Sequence, residues 1–158
     1  MAEDARFSDA DPRPMALRAE DADDLRVISA LVQDAVLTGA DLTYEAKPRR
    51  MALLLNRFRW EDVEAARAEG RGFERVRSLL VIGDVLRVST DGVARDPDTV
   101  LELLTLQWTP GEDGTGQMML AFAGDGTIVL DVECIAVDLR DVTRPYLAPS
   151  GMAPNHPD

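Results

Sequence analysis

The stretch MMLAFAGDGTIVLDV, residues 118–132, decides how the rest of the chain is read. Two short apolar runs flank Gly124-Asp125-Gly126, residues that tolerate positive φ and therefore close a tight antiparallel turn. Successive side chains of a strand point to opposite faces. Met118, Leu120 and Phe122 thus share one face of the first run, and Ile128, Leu130 and Val132 one face of the second. The expectation is a β-hairpin with six core residues, and with it an antiparallel, mostly β molecule.

Working outward, the same logic finds further strands. VLELLTLQW, residues 100–108, reads as a strand on Thr105, Gln107 and Trp108, ending at Pro110 before GEDGTG. FERVRSLLVIGDVLRVSTDG, residues 73–92, runs strand-like to the Asp91-Gly92 turn, with a bend or bulge at Gly83 and Asp84. Leu42 to Tyr44, the turn KPRR and MALLLNRFRWE form a second hairpin broken at Pro48. Along its second strand the alternation puts Leu54, Asn56, Phe58 and Trp60 on one face. Leu53, Leu55, Arg57, Arg59 and Glu61 take the other. EDVEAARAEGRG, residues 61–72, is a polar surface excursion with a turn of helix.

Two segments carry mixed signals. EDADDL, residues 20–25, is a short acidic helical opening. In RVISALVQDAVL, Leu25, Ile28, Leu31 and Ala35 fit a helix, while Val27, Ile28, Val32 and Val36 favour a strand, and the reading leans to a strand from Ile28. ECIAVDLRDV, residues 133–142, places Ile135, Ala136, Leu139 and Val142 at helical spacing and predicts an amphipathic C-terminal helix. The expected fold is α+β and mostly β. It has a small, strongly bent antiparallel sheet or partial barrel of six to seven strands, one open end plugged by that helix, a layout similar to the pleckstrin-homology superfold. The division expected along the chain is an N-terminal arm over 1–16, one globular domain over 17–144, and an extended Pro-rich tail over 145–158.

Length and composition are consistent with this. A chain of 158 residues with 46% hydrophobic and 29% charged residues is long enough for one self-sufficient core. The net charge of −12 speaks against nucleic acid and acidic membranes as partners, since both attract cationic surfaces. No apolar run is long enough to span a bilayer and the acidic N-terminal residues lack the pattern of a signal peptide, so a cytoplasmic location is expected. The single cysteine, Cys134, can form neither an internal disulfide nor a structural zinc site. No cofactor is implied.

Several blocks resemble an uncharacterised bacterial family, Domain of Unknown Function 2948. They are SALVQDA at 29–35, NRFRWE at 56–61, ERV at 74–76, FAG at 122–124, LDVE at 130–133 and the DLRD of 138–141. The resemblance implies membership of that family and no activity.

Four groups of residues invite a functional reading. Asn56, Arg57, Arg59, Trp60 and Glu61 bring an amide, two guanidiniums, an indole and a carboxylate to one strand end, where Arg57, Arg59 and Glu61 on one face form a polar clamp suited to a carboxylate-bearing peptide or metabolite. The plain alternative has Phe58 and Trp60 in the core and the arginines paired with acids. Lys47, Arg49 and Arg50 concentrate positive charge at a hairpin tip and form an anion-binding candidate. Cys134 sits beside the expected helix start, where a dipole can activate a thiol; its one histidine partner in the sequence is His156, and a catalytic Cys-His pair is not expected. Asp131 and Glu133 would serve a small hydrolase or metal-dependent enzyme. The reading favoured overall is a non-catalytic module for a protein or peptide partner, with self-association into a homo-oligomer as a further class.

Overall fold

The computed structural model describes residues 14–148 and Pro154. The first arm residues, 1–13, and most of the Pro-rich tail, with His156, lie outside them. The chain runs β1 (Ala16–Ala19), α1 (Ala22–Leu31), β2 (Ala35–Thr38), a 3-10 turn (Gly39–Asp41), β3 (Leu42–Glu45), β4 (Arg50–Phe58) and a second 3-10 turn (Trp60–Asp62). It continues through α2 (Val63–Glu69), β5 (Glu74–Ile82), β6 (Val85–Asp91), β7 (Val100–Pro110), β8 (Gly116–Phe122), β9 (Thr127–Val132), β10 (Val137–Asp141) and β11 (Tyr146–Leu147). All described strand pairs are antiparallel. Their order is β1-β10-β5-β4-β2-β7-β8-β9-β6, with β3 added to β4 and β11 to β5.

The expected hairpins are present: β3 with β4, and β8 with β9, where Leu120 faces Ile128 and Met118 faces Leu130. All six residues singled out in that second hairpin are buried. The sheet is larger than expected, with eleven strands among the described residues instead of six to seven, because the long apolar runs divide at bends and short strands add at their flanks. It is not closed. Instead β5 passes into β6 through Gly83 and Asp84 alone, so one bent strand joins the middle of the sheet to its far end. The Gly83 N–H donates to Ala136 O at 2.8 Å and the Glu133 N–H to Asp84 O at 3.0 Å, so β9 and β10 follow the same bend.

Two expectations are overturned. Residues 133–142 are not a C-terminal helix. Val137, Leu139 and Asp141 alternate inward along β10, which pairs with β1 and β5, and the period of two wins because a strand place between those two was open. The plug that defined the pleckstrin-homology-like layout is therefore absent. Likewise no strand begins at Ile28. The Asp21 carboxylate accepts from the Asp24 N–H at 2.8 Å and starts α1, which runs to Leu31 and buries Leu25 and Ile28, with Val32 just beyond it. Burying that one stripe outweighs the strand preference of the β-branched residues; β2 starts only at Ala35.

Helix α1 packs against β1 and β7. Its Ser29 Oγ accepts the Leu106 N–H at 3.0 Å, next to the register shift between Leu103 and Thr105. Ser29→Ala removes that acceptor and leaves a part-buried amide without its partner. The expected cost is about 1–2 kcal/mol in urea unfolding, with faster hydrogen exchange at the Leu106 amide. Close approach also fixes Gly39: a Cβ there would sit 2.0 Å from Ala94 O and 2.6 Å from Arg95 Cα, so only glycine lets the 3-10 turn lie on the loop before β7.

Candidate functional site

Strand β4 alternates as expected, but the core lies on the face that carries Arg57. Met51, Leu53, Leu55 and Arg57 are buried in turn, and the Arg57 side chain is 0% exposed. The outward clamp pictured for Arg57 and Glu61 is an internal one. Arg57 Nε donates to Ser78 Oγ at 3.0 Å. Nη1 and Nη2 make a two-pronged pair with Glu61 Oε1 and Oε2, both at 2.9 Å, and Nη2 also reaches Asp141 Oδ1 at 3.0 Å. Nη1 further donates to Phe58 O at 3.3 Å. The Ser78 hydroxyl donates to Asp141 Oδ1 at 2.6 Å, and the Met15 N–H to Oδ2 at 3.3 Å. Every N–H of this guanidinium is engaged, as a buried charge requires.

The charges tune one another. Burial alone would raise the Glu61 carboxyl, but hydrogen bonds from Arg57 and its positive charge outweigh it and hold that carboxyl below its ordinary value. Burial likewise acts to lower Arg57, and is outweighed by Glu61 and Asp141, which raise it. Arg59 extends the network outward: it pairs with Glu74, lies 3.5 Å from Asp62 and 3.8 Å from Glu61. Arg71 holds Asp62 at 2.8 Å, and that hydrogen bond lowers the Asp62 carboxyl.

The two sequence blocks SALVQDA and NRFRWE meet here. The Trp60 indole N–H donates to Gln33 O at 2.9 Å. Arg75 donates through Nε to Asn56 Oδ1 at 2.7 Å, and through Nη2 to Asn56 O at 3.1 Å and Asp34 O at 3.4 Å. Burial lowers the Arg75 guanidinium from its ordinary value. The Asn56 amide donates to the Tyr146 hydroxyl of β11. Phe58, on the face opposite Arg57, stacks edge-on with Trp60 and Phe73, centroids 4.7 and 5.8 Å apart. The five residues read from sequence are thus brought together as a joint between α1, β4, β5, β10 and β11. Sequence reasoning missed Ser78, Asp141 and Arg75. The signal for Ser78 and Asp141 was their place in the inward alternation of Val76, Ser78, Leu80 and of Val137, Leu139, Asp141.

Elsewhere the expected groups are dispersed. Arg49 pairs with Glu133 and lies 3.7 Å from Asp84, and Arg50 pairs with Glu45 at 2.8 Å, so acids already answer two of the three cations at the hairpin tip. Asp131 is held by Gln117 at 2.9 Å and Arg87 at 3.1 Å. Cys134 adjoins no helix. Its thiol donates to Asp84 at 3.3 Å, and that bond, then burial and the neighbouring carboxylates, push the thiol up, the opposite of activation. No group of three or more His, Cys, Asp or Glu side chains that could hold a metal ion occurs among the described residues.

A groove of about 580 Å³ lies on the outer face of the β1-β10-β5-β4 portion. In register, Ala16, Arg140, Leu79 and Leu54 form one cross-strand row, and Arg18, Asp138, Val81 and Ala52 the next. Half-buried Ala52, Leu79 and Val81 make its floor, and Glu45, Arg50, Asp138 and Arg140 stand at its sides. A shallower hollow of about 190 Å³ continues past Leu54, Asn56 and Arg77.

A bent, open antiparallel sheet with an internal arginine cluster and an outer groove characterises the described residues. Residues 15–156 match the family described as a protein of unknown function, DUF2948, and the chain belongs to that family. No curated protein and no solved structure matches it.

Proposed function

We propose that the protein is a non-catalytic, cytoplasmic interaction module that receives a protein or peptide partner on the outer face of its sheet. The observation that carries this reading is the 580 Å³ groove, whose apolar floor of Ala52, Leu79 and Val81 is bordered by charged side chains. A half-apolar strip across neighbouring strands is the kind of surface on which extended segments lie, side chains in pockets and polar groups at the rim. The arginine cluster around Arg57 supports the surface from beneath instead of contacting the partner, because its donors are already spent on Glu61, Asp141, Ser78 and Phe58.

Affinity capture from cell lysate with the full chain tests the reading. Val81→Lys and Leu79→Glu place charges on the floor, while Glu112→Lys changes an exposed turn far from it in sequence. Melting curves confirm that each variant folds, and Ala52→Glu replaces any that does not. A partner recovered by the wild type and by Glu112→Lys, and lost from both floor variants, is the expected result. Equal recovery by all four proteins would remove the groove from the account.

A further inference from the structure

The charges beside the groove are not balanced, and the imbalance specifies a partner chemistry. Glu45 is held by Arg50 at 2.8 Å and Asp138 by Arg18 at 2.7 Å, so both wall carboxylates are neutralised in place. Arg140 is different. Among the described residues its guanidinium makes no hydrogen bond or ion pair, and neither does that of Arg77. Both side chains are exposed. Leu79 is the direct cross-strand partner of Arg140, and Arg77 is two residues before Leu79 on the same face. The two arginines are therefore diagonal neighbours, with Cβ atoms about 7–8 Å apart. In a chain of net charge −12, whose acids answer nearly every other described arginine of the sheet, two adjacent cations stand uncompensated against an apolar floor.

Resting on the groove as the contact surface, we propose that its occupant is an extended acidic segment of a partner protein. In it, every second residue faces the groove, and those facing residues are in turn carboxylate and apolar: the carboxylates meet Arg77 and Arg140 and the apolar groups lie on Leu54, Leu79 and Val81. A guanidinium fork takes a carboxylate in two parallel hydrogen bonds. A repeat of four fits the floor, since an extended chain presents alternate residues to one side, and Arg77, Leu79 and Val81 follow one another at that spacing on a single face. A small inorganic anion would use the arginines and leave the floor bare. Nucleic acid would supply the negative charge but meet the repulsion of the whole chain.

Fluorescence anisotropy with the full chain and three labelled twelve-residue probes decides the matter: three repeats of Glu-Ser-Leu-Ser (the Glu-Leu probe), of Gln-Ser-Leu-Ser (Gln-Leu) and of Lys-Ser-Leu-Ser (Lys-Leu). The Glu-Leu probe is expected to bind about tenfold more tightly than the Gln-Leu probe, with the gap closing as salt is raised. Arg77→Gln and Arg140→Gln are each expected to weaken Glu-Leu binding about two- to fivefold, the range for an exposed ion pair, and to leave Gln-Leu binding unchanged. Absence of Glu-Leu binding, equal affinity for Glu-Leu and Gln-Leu, or indifference to both arginines would overturn the acidic partner. Complete displacement by inorganic phosphate would overturn it too, by assigning the arginines to a free anion. Concentration-dependent dimers abolished by Arg140→Gln would reassign the groove to a second copy of the chain. The groove itself is judged separately by the capture experiment with the floor variants, so the two readings fail on different measurements.

Discussion

Arg57→Ala is expected to lower stability by about 3–5 kcal/mol, the cost of removing one partner from a buried ionic cluster. In a domain of this size the melting temperature then falls on the order of 10 °C. The loss comes less from missing attraction than from what remains: the Glu61 and Asp141 carboxylates, the first 25% and the second 7% exposed, both lose the cation that offset their burial. The pH dependence should weaken. In the wild type the Glu61 carboxyl is lowered on folding, so its contribution is present above its unfolded value and is lost as pH falls through the folded one. Without Arg57, burial is opposed at Glu61 by only a backbone hydrogen bond and the more distant Arg59, so the carboxyl moves up and the variant loses less stability as pH falls. Urea denaturation across the acid range measures both proteins. Parallel wild-type and variant curves would show that Arg57 does not hold these carboxylates.

Phe58→Ala should be comparably severe, about 3–5 kcal/mol, because a fully buried aromatic leaves a cavity as well as losing transfer energy. Its ring is the centre of a small aromatic cluster, edge-on to Trp60 and Phe73, over which Arg67 lies 5.7 Å from the Phe73 ring centroid. Strand β4 is thus buried on both sides at one end: Arg57 fastens one face to β5 and β10, Phe58 the other to the segment around α2. Near-ultraviolet circular dichroism should flatten in the variant, since Trp60 loses its rigid neighbour. A variant within about 1 kcal/mol of wild type would mean that the site collapses onto the gap.

What could be read from sequence followed local rules. The Gly124-Asp125-Gly126 and KPRR hairpins, the bend at Gly83-Asp84 and the six core residues of β8 and β9 rest on turn chemistry and strict alternation, and both are short-range. Two of the failures, on β4 and on β10, share one cause. Arg57 and Asp141 face inward and satisfy each other across β5, so each put a charge where the pattern calls for an apolar residue. That charge hid the buried face of β4, and it hid the strand character of β10, leaving Ile135, Ala136, Leu139 and Val142 to suggest a helix. The place of β2 between β4 and β7 joins Val36 to Asn56 and Ala35 to Leu103, the second partner more than sixty residues away, and no local window of the sequence contains it. The outer groove was illegible for the same reason: its floor comes from β4 and β5, and its walls from β3, β4 and β10.

The two-residue passage from β5 to β6 governs how the molecule can come apart. A chain that threads from the interior of a sheet to its rim without a loop gives neither region slack to melt while the other persists. Loosening at the Gly83 corner should therefore be felt at β1 and at β9 together, and unfolding should proceed as one cooperative event. The groove proposed as a partner surface lies on that sheet and inherits the same rigidity, so the proposed partner would meet a prearranged footprint instead of moulding one.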